Sequence, residues 1–307
     1  MSYRENERKK VIMIRDTLFR DPGAGLFSKR ERDFVLQNQT LNLWAGARDD
    51  AIRYFEENHV SWWMGNNKSE PTGHLLSSQV ACINHLYFLR QRKDAATAVL
   101  KNLTDKVEEA VRVDDGYVEF EAIGKENYLG ERSHTRGANA TSVDAIMVGR
   151  KKEGSNVLIL IEWKYTEEYR EVNKYIPDRY NIYNTLLDEE KCPVRAPNYE
   201  SLYYEPFYQL MRQTLLGWKM IQAGEYSCDE YIHIHVIPEN NVELRNRVTS
   251  PELKGDTMSE AWKSVLREPG RYKVIPPEEF IRPAFVCSDT QSIKTYLEKR
   301  YWNENFR

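Results

Sequence analysis

The sequence predicts an α/β protein whose mixed central sheet is covered by helices on both faces. Three observations carry that expectation. Leu76, Val80, Ile83 and Tyr87 recur at spacings of four, three and four, the pattern of an amphipathic helix over 75–92. The period then shortens to that of extended chain through three segments rich in β-branched and aliphatic residues, 117–123, 141–149 and 156–166. A second long helix, 205–222, carries Phe207, Leu210, Met211, Thr214, Leu215, Trp218 and Ile221 on one broad face, and a fourth strand, 231–237, is closed by Pro238.

The remaining elements fall around this core. The first 70 residues read as mixed helix and loop, with helical character over 49–58 and turns at Asp21-Pro22-Gly23 and Gly65-Asn66-Asn67. Asp94 is placed to cap a helical piece reaching Leu103, and Asp114-Asp115-Gly116 is a turn into the first strand. A polar insertion occupies 167–201. The tail adds a helix over 258–266, opened by the capping-box spacing Thr257…Glu260, then a short strand Tyr272–Ile275 and a last helix over 292–301. No linker demands an independent second domain. The expected organisation is one domain over 1–307, with an N-terminal extension 1–73, a core 74–240 and a C-terminal extension 241–307.

Composition excludes several classes. The 307 residues hold 41% hydrophobic and 30% charged side chains, which is globular and neither disordered nor collagen-like. The longest aliphatic run, 157–161, is far short of the roughly 20 residues that span a bilayer, and Met1 to Lys10 is charged where a signal peptide is apolar. No membrane association is expected, and the four unpaired cysteines, Cys82, Cys192, Cys228 and Cys287, fit a reducing cytoplasm and form no zinc-ligand spacing. With 44 basic against 47 acidic residues the chain is no basic nucleic-acid coat, but a local basic groove remains compatible with that balance. No GxSxG, Walker A or dinucleotide fingerprint occurs. His233 and His235 share one strand face without a third ligand nearby and are expected on an exposed face.

The most informative stretch is 141–166. If Lys152-Glu153-Gly154 forms a three-residue hairpin loop with Gly154 left-handed, Lys151 pairs with Ser155 and paired residue numbers sum to 306. Asp144 then lies opposite Glu162 on one face, and Lys164, two residues on, shares that face. A two-residue Glu153-Gly154 turn would shift the register by one and separate the acids. Both faces of the hairpin are otherwise apolar, with Ile146, Val148, Leu158 and Leu160 on the acid side and Val143, Ala145, Met147, Val157, Ile159, Ile161 and Trp163 on the other. Such strands need cover on both sides. Two acids and a lysine on them need a partner, because unpaired buried charge costs several kcal/mol. A divalent cation supplies one; a structural ion pair of Lys164 with the two acids is the plainer reading. Paired carboxylates also serve glycoside hydrolysis, but direct cross-strand placement beside a lysine weighs against it.

An Asp, a hairpin and Glu-x-Lys, flanked in this order by helix and strand, resemble the PD-(D/E)XK nuclease superfamily over about 75–237. The run Ile161-Glu162-Trp163-Lys164-Tyr165-Thr166-Glu167 is the most specific part, and Val143 stands where the superfamily's name has proline. The resemblance implies a restriction-endonuclease-like αβββαβ core and Mg²⁺-dependent hydrolysis of DNA, with Mn²⁺ able to substitute, in restriction or defence. By the same resemblance Asp144, Glu162 and the Trp163 carbonyl would hold the metal, and Lys164 would position or help deprotonate the attacking water.

A further acid and a helix glutamine are common in that superfamily. Helix 75–92 contains no acid, so the candidates are Glu119, Glu121 and Glu131, with Glu131 favoured; Gln209 resembles the glutamine, with Gln213 one turn on. Arg132, His134 and Arg136, then Arg170, Lys174 and Arg179 interleaved with Tyr169, Tyr175, Tyr180 and Tyr183, suit phosphate contact and base stacking, or else a loop packed on the sheet. RNA stays open beside DNA, and two-site cutting of a duplex would allow a homodimer. The alternative function is a nuclease-fold module that binds nucleic acid or a protein partner without cleavage.

Overall fold

The computed structural model describes residues 1–63, 69–136 and 140–302; the turn expected at Gly65-Asn66-Asn67 lies outside them. Helix α1 (Tyr3–Ile14) starts at a full capping box in which Ser2 and Glu5 satisfy each other's backbone. A small hairpin, β1 (Gly25–Phe27) and β2 (Arg30–Arg32), precedes α2 (Arg48–Glu57), α3 (Ser78–Leu86) and α4 (Lys93–Leu103). Strands β3 (Val107–Val111), β4 (Glu119–Ala122), β5 (Val143–Lys151) and β6 (Asn156–Trp163) follow, then α5 (Pro177–Leu187), α6 (Phe207–Gln222) and β7 (Cys228–Val236). The tail supplies α7 (Val242–Arg245), α8 (Met258–Lys263), β8 (Tyr272–Ile275), α9 (Pro277–Ile281) and α10 (Gln291–Leu297).

The main sheet runs β3-β5-β6-β7-β8, with β4 also on β5. Strand β3 pairs with the Val148–Lys151 end of β5 and β4 with its Val143–Ile146 end, so both lie along one edge of the same long strand. β5 and β6 are antiparallel; β6, β7 and β8 are parallel. The sheet is therefore mixed, as expected. Strand β3 was not anticipated, because VEEAV carries its acids on an edge where one side meets water, which blurs the apolar signal. Helix α5 was also missed. It begins at Pro177 inside the polar insertion and buries only Tyr183 and Leu187, too narrow a stripe for a periodic reading.

Two apolar layers cover the sheet. On one side Ala145, Met147, Ile159, Ile161 and Trp163 pack with α3 and α4. That core also takes Val11, Leu36 and Phe55 from the N-terminal extension and Phe280, Ile293 and Leu297 from the C-terminal one. On the other side Ile146, Val148, Leu158 and Leu160 meet Leu210, Met211 and Leu215 of α6. Gly217 sets that approach: a Cβ there would lie 2.3 Å from Leu160 Cδ1. Removing one methyl lets α6 ride close on β6, and the polar face one and two turns earlier is thereby laid over the end of the hairpin. Among the described residues no helix is long and apolar enough to cross a membrane.

Candidate active site

The hairpin adopts the three-residue loop. Lys151 N–H donates to Ser155 O at 2.8 Å, Gly154 N–H closes onto Lys151 O at 2.9 Å, and Gly154 has φ 96°. Pairing runs from Arg150↔Asn156 to Ala145↔Ile161, which brings Asp144 to the level of Glu162. The contact is direct: the Trp163 N–H donates to Asp144 Oδ2 at 2.7 Å. Lys164 Nζ sits 2.5 Å from Glu162 Oε1 and donates to Gln209 Oε1 at 2.7 Å. Gln213 Nε2 donates to Glu162 Oε2 and, at 2.9 Å, to Ser142 O. Thus Asp144, Glu162, Lys164, Trp163, Gln209 and Gln213 converge where β5 begins and β6 ends.

Glu131 does not join them. Its carboxylate accepts from Thr141 N at 2.6 Å, Thr141 Oγ1 at 2.5 Å and the Tyr183 hydroxyl at 2.6 Å. It ties the segment before β5 to α5, and the expectation that it supplies the further acid is corrected. The acid beside the pair is Glu121, at the level of Asp144 across β4 and β5, between the pairs Phe120↔Ala145 and Ala122↔Val143. Its backbone is left-handed, φ 48°, a conformation that is strained for a glutamate. Arg136 stabilises the turn there by donating to the Phe120 and Glu121 carbonyls. The Glu121 side chain is fully engaged: Oε1 accepts from Gln79 Nε2 at 2.8 Å and Trp63 Nε1 at 3.0 Å, and Oε2 from Ser142 Oγ at 2.8 Å.

The electrostatics are lopsided. Burial, reinforced by the charges of Glu162 and Glu121, pushes the Asp144 carboxyl well above the usual carboxylate range, although its side chain keeps a partly open surface. Burial also raises Glu121, against the hydrogen bonds of Ser142 and Gln79. For Lys164 burial acts to lower the ammonium, but Glu162 and then Tyr169, Glu167 and Asp144 outweigh it and hold it well above the ordinary lysine value. Glu162 Oε1, 1% exposed with its residue, lies 2.5 Å from Lys164 Nζ yet has no hydrogen-bond partner of good geometry among the described residues. Asp144 and Glu162 therefore share the lysine, and Glu121 presses on both acids.

His233 and His235 are buried, contrary to the exposed face expected of them. β7 is an interior strand covered by α6, so its alternate residues have no route to water. His233 Nδ1 lies 3.1 Å from Thr214 Oγ1 and His235 Nδ1 2.9 Å from the Tyr272 hydroxyl. Burial drives His233 down to about 3 and His235 well below its ordinary value, so both are neutral core residues.

The basic and aromatic residues before and after the hairpin are mostly packed. Arg132 pairs with Asp178 at 2.6 Å on the surface, and His134 Nε2 lies 3.1 Å from Gly124 O. Tyr175, Tyr180 and Tyr203 form a ring cluster, and Arg179 lies over Tyr208 at 5.8 Å. Arg170 is exposed, while Lys174 is half-buried. Trp63, Gln79 and Ser142 were not singled out from the sequence. Gln79 left a signal: an amide on the apolar face of α3, between Ser78 and Val80, needs a buried partner.

Among the described residues no group of three or more His, Cys, Asp or Glu side chains is arranged to hold a metal ion. Two carboxylates nonetheless match what Mg²⁺ asks of a protein, since it keeps several waters and takes the rest of its shell from substrate oxygens. The donor-poor Glu162 oxygen and the acid excess fit such a cation.

A mixed sheet between helical layers, with its polar cluster at the end of the central hairpin, is compatible with the restriction-endonuclease-like class. The chain belongs to the family described as "Restriction Endonuclease associating with ARP", whose family model matches residues 18–302. No curated protein and no solved structure matches it.

Proposed function

We propose that this chain is a Mg²⁺-dependent endonuclease of the PD-(D/E)XK type that hydrolyses DNA phosphodiester bonds in restriction or defence, with Mn²⁺ able to substitute. The observation that carries the reading is the acid excess around Lys164 at the end of the central hairpin. The family supports it at the level of nuclease class.

Asp144, Glu162 and the Trp163 carbonyl would hold the metal. When bound, it supplies water of lowered pKa and neutralises charge on the scissile phosphate. The protein's part is placement. Gln213 fixes the Glu162 carboxylate, and the Trp163 N–H fixes one oxygen of Asp144. Gln209 holds the Lys164 ammonium so that it faces the attacking water and the charge developing on phosphorus. Glu121 acts through others: bound to Ser142 and Gln79, it braces the start of β5 against α3. The family description also supports an association with ARP as the setting in which cutting occurs.

The test is plasmid incubation with Mg²⁺ or Mn²⁺. Metal-dependent cleavage by wild type that Lys164→Ala abolishes is the expected result; identical products from both would overturn it. Nucleic-acid binding that survives EDTA, with no cutting of DNA or RNA, would favour the silent binding module.

A further inference from the structure

Two adjacent tryptophans in the segment after α2 face opposite ways. Trp62 is 2% exposed and stacks on Phe55, ring centroids 4.0 Å apart and planes 19° apart. Trp63 is 49% exposed.

The exposed ring is nonetheless held firmly. Trp63 N–H donates to Gln79 Oε1 at 2.8 Å, and Gln79 Nε2 reaches back to Ser61 O at 3.2 Å. The indole Nε1–H donates to Glu121 Oε1 at 3.0 Å, and Arg136 Nη1 donates to Asn58 Oδ1 at 3.2 Å at the start of the segment. Buried Trp62 anchors the chain from below. Glu121 lies at the level of Asp144, and a small cavity between α3 and the sheet is lined by Gln79, Phe120, Glu121 and Asp144 together. The ring is therefore one hydrogen bond from the acid facing Asp144, and it stands at the edge of the candidate site on chain that lies outside the 74–240 core.

We infer that Trp63 is a stacking platform for an unpaired or extruded nucleobase of the substrate, flanking the phosphate that the Asp144–Glu162–Lys164 cluster would receive. The inference rests on the nuclease reading above. A flat, pre-ordered indole suits this task because every base presents a π-face, so stacking tolerates sequence, and because a residue whose ring and backbone are each fixed by a hydrogen bond loses little freedom on binding. Its edge is committed to Glu121 while 49% of its surface is exposed among the described residues, and a base would use that exposed part. Substrate stacked on Trp63 would also press on the Glu121–Ser142 link that leads to the start of β5.

The experiment is fluorescence anisotropy of labelled oligothymidylate, and of a labelled duplex carrying one unpaired thymine, in EDTA, with wild type, Trp63→Ala and Trp63→Phe. Matching circular dichroism melts certify that the variants fold. Trp63→Ala should weaken binding about tenfold. Trp63→Phe, which keeps a ring but loses Nε1–H, should stay within about threefold of wild type. Replacing the unpaired thymine by an abasic residue should weaken wild type and leave Trp63→Ala unchanged. Equal binding by wild type and Trp63→Ala, or a Trp63→Phe loss as large as that of Trp63→Ala, overturns the platform and leaves the nuclease reading intact. Failure of wild type to bind either probe overturns the platform, while the nuclease reading is decided separately by plasmid cleavage with Mg²⁺ or Mn²⁺.

Discussion

Two buried lysine–glutamate pairs lie within one molecule, and their surroundings differ. Lys10 and Glu7, 5% and 8% exposed, form a closed set. Glu7 Oε1 accepts from Lys10 Nζ at 2.8 Å and Oε2 from the Tyr165 hydroxyl at 2.6 Å, while Lys10 also donates to Tyr301 O at 2.9 Å. Lys164 and Glu162 are equally buried, yet among the described residues Glu162 Oε1 lacks a hydrogen-bond donor, and Asp144 and Glu121 press on Glu162, with Lys164 the cation that acts on Asp144. The first pair joins α1 to the chain following β6 and to the C-terminal tail. The second is unbalanced by design of its neighbours. A buried ion pair is therefore uninformative by itself; whether charge and hydrogen bonding close around it separates a tie from a site.

The largest effect expected from this contrast is on cleavage. Lys164→Ala should lower the rate at least 10²- to 10³-fold, the scale typical of removing a group that stabilises developing charge, and single-turnover cleavage reads it. Next comes the closed pair. Glu7→Gln leaves Lys10 buried without its counter-charge and should cost about 3–5 kcal/mol in urea unfolding, while cleavage per folded molecule is retained. If Glu7→Gln were inactive when folded, the two pairs would not differ in kind.

Asp144→Asn should have the opposite sign. Taking one carboxylate out of the acid excess should stabilise the metal-free protein by about 1–3 kcal/mol and erase the rise in Tm that Mg²⁺ is expected to give wild type. A metal-free Asp144→Asn that melts below wild type would place Asp144 in a balanced structural set. Comparison of Glu121→Gln with Glu131→Gln is finer. Each removes an engaged carboxylate and should cost about 1–2 kcal/mol of stability, but only Glu121→Gln should lower cleavage of the folded fraction.

Last comes a pH dependence of stability that builds up gradually and underlies all of these variants. His74, buried among Phe27 and Phe34, is lowered by burial to about 4 from 6.5, so between those values the unfolded chain binds a proton that the folded chain refuses. Its contribution is fully present above pH 6.5 and is lost as pH falls toward 4, by at most about 1.4 kcal/mol per pH unit. Urea titrations of wild type and His74→Gln should differ by that slope, since His85, His233 and His235, also lowered by burial, contribute equally to both; equal slopes would show that His74 is not held neutral.

Much of the site was legible. Gly154 set the loop, and the loop set the register from Arg150↔Asn156 to Ala145↔Ile161. The single face expected for the acids did not follow, because alternation breaks where β5 begins: Val143 packs with Ile146 and Val148, Asp144 lies beside Gln79 and Cys82 of α3, and Glu162 meets Gln213 of α6. Apolar residues on both sides of the hairpin required two helical layers, and both are present. Gln209 and Gln213 were singled out by resemblance, and their side chains bond Lys164 and Glu162. The failures share a cause. Glu131 was favoured because it leads into β5, but Thr141 and Tyr183 absorb it. Glu121 joins the cluster through a left-handed backbone that no alternation rule foresees. His233 and His235 looked exposed until β8 and α6 enclosed β7.

What the sequence by itself determined is therefore local and periodic: which segments are helix or strand, which face each apolar residue takes, and which side chains a tight hairpin sets opposite one another. What only the tertiary structure decided is the company those side chains keep. Trp63 and Gln79 reach Glu121 from chain about 40 to 60 residues away, Gly217 admits α6 onto β6, and the tail supplies β8. Backbone periodicity acts over a few residues, whereas the balance of buried charge depends on every element packed against it, and that sum exists only once the chain has folded.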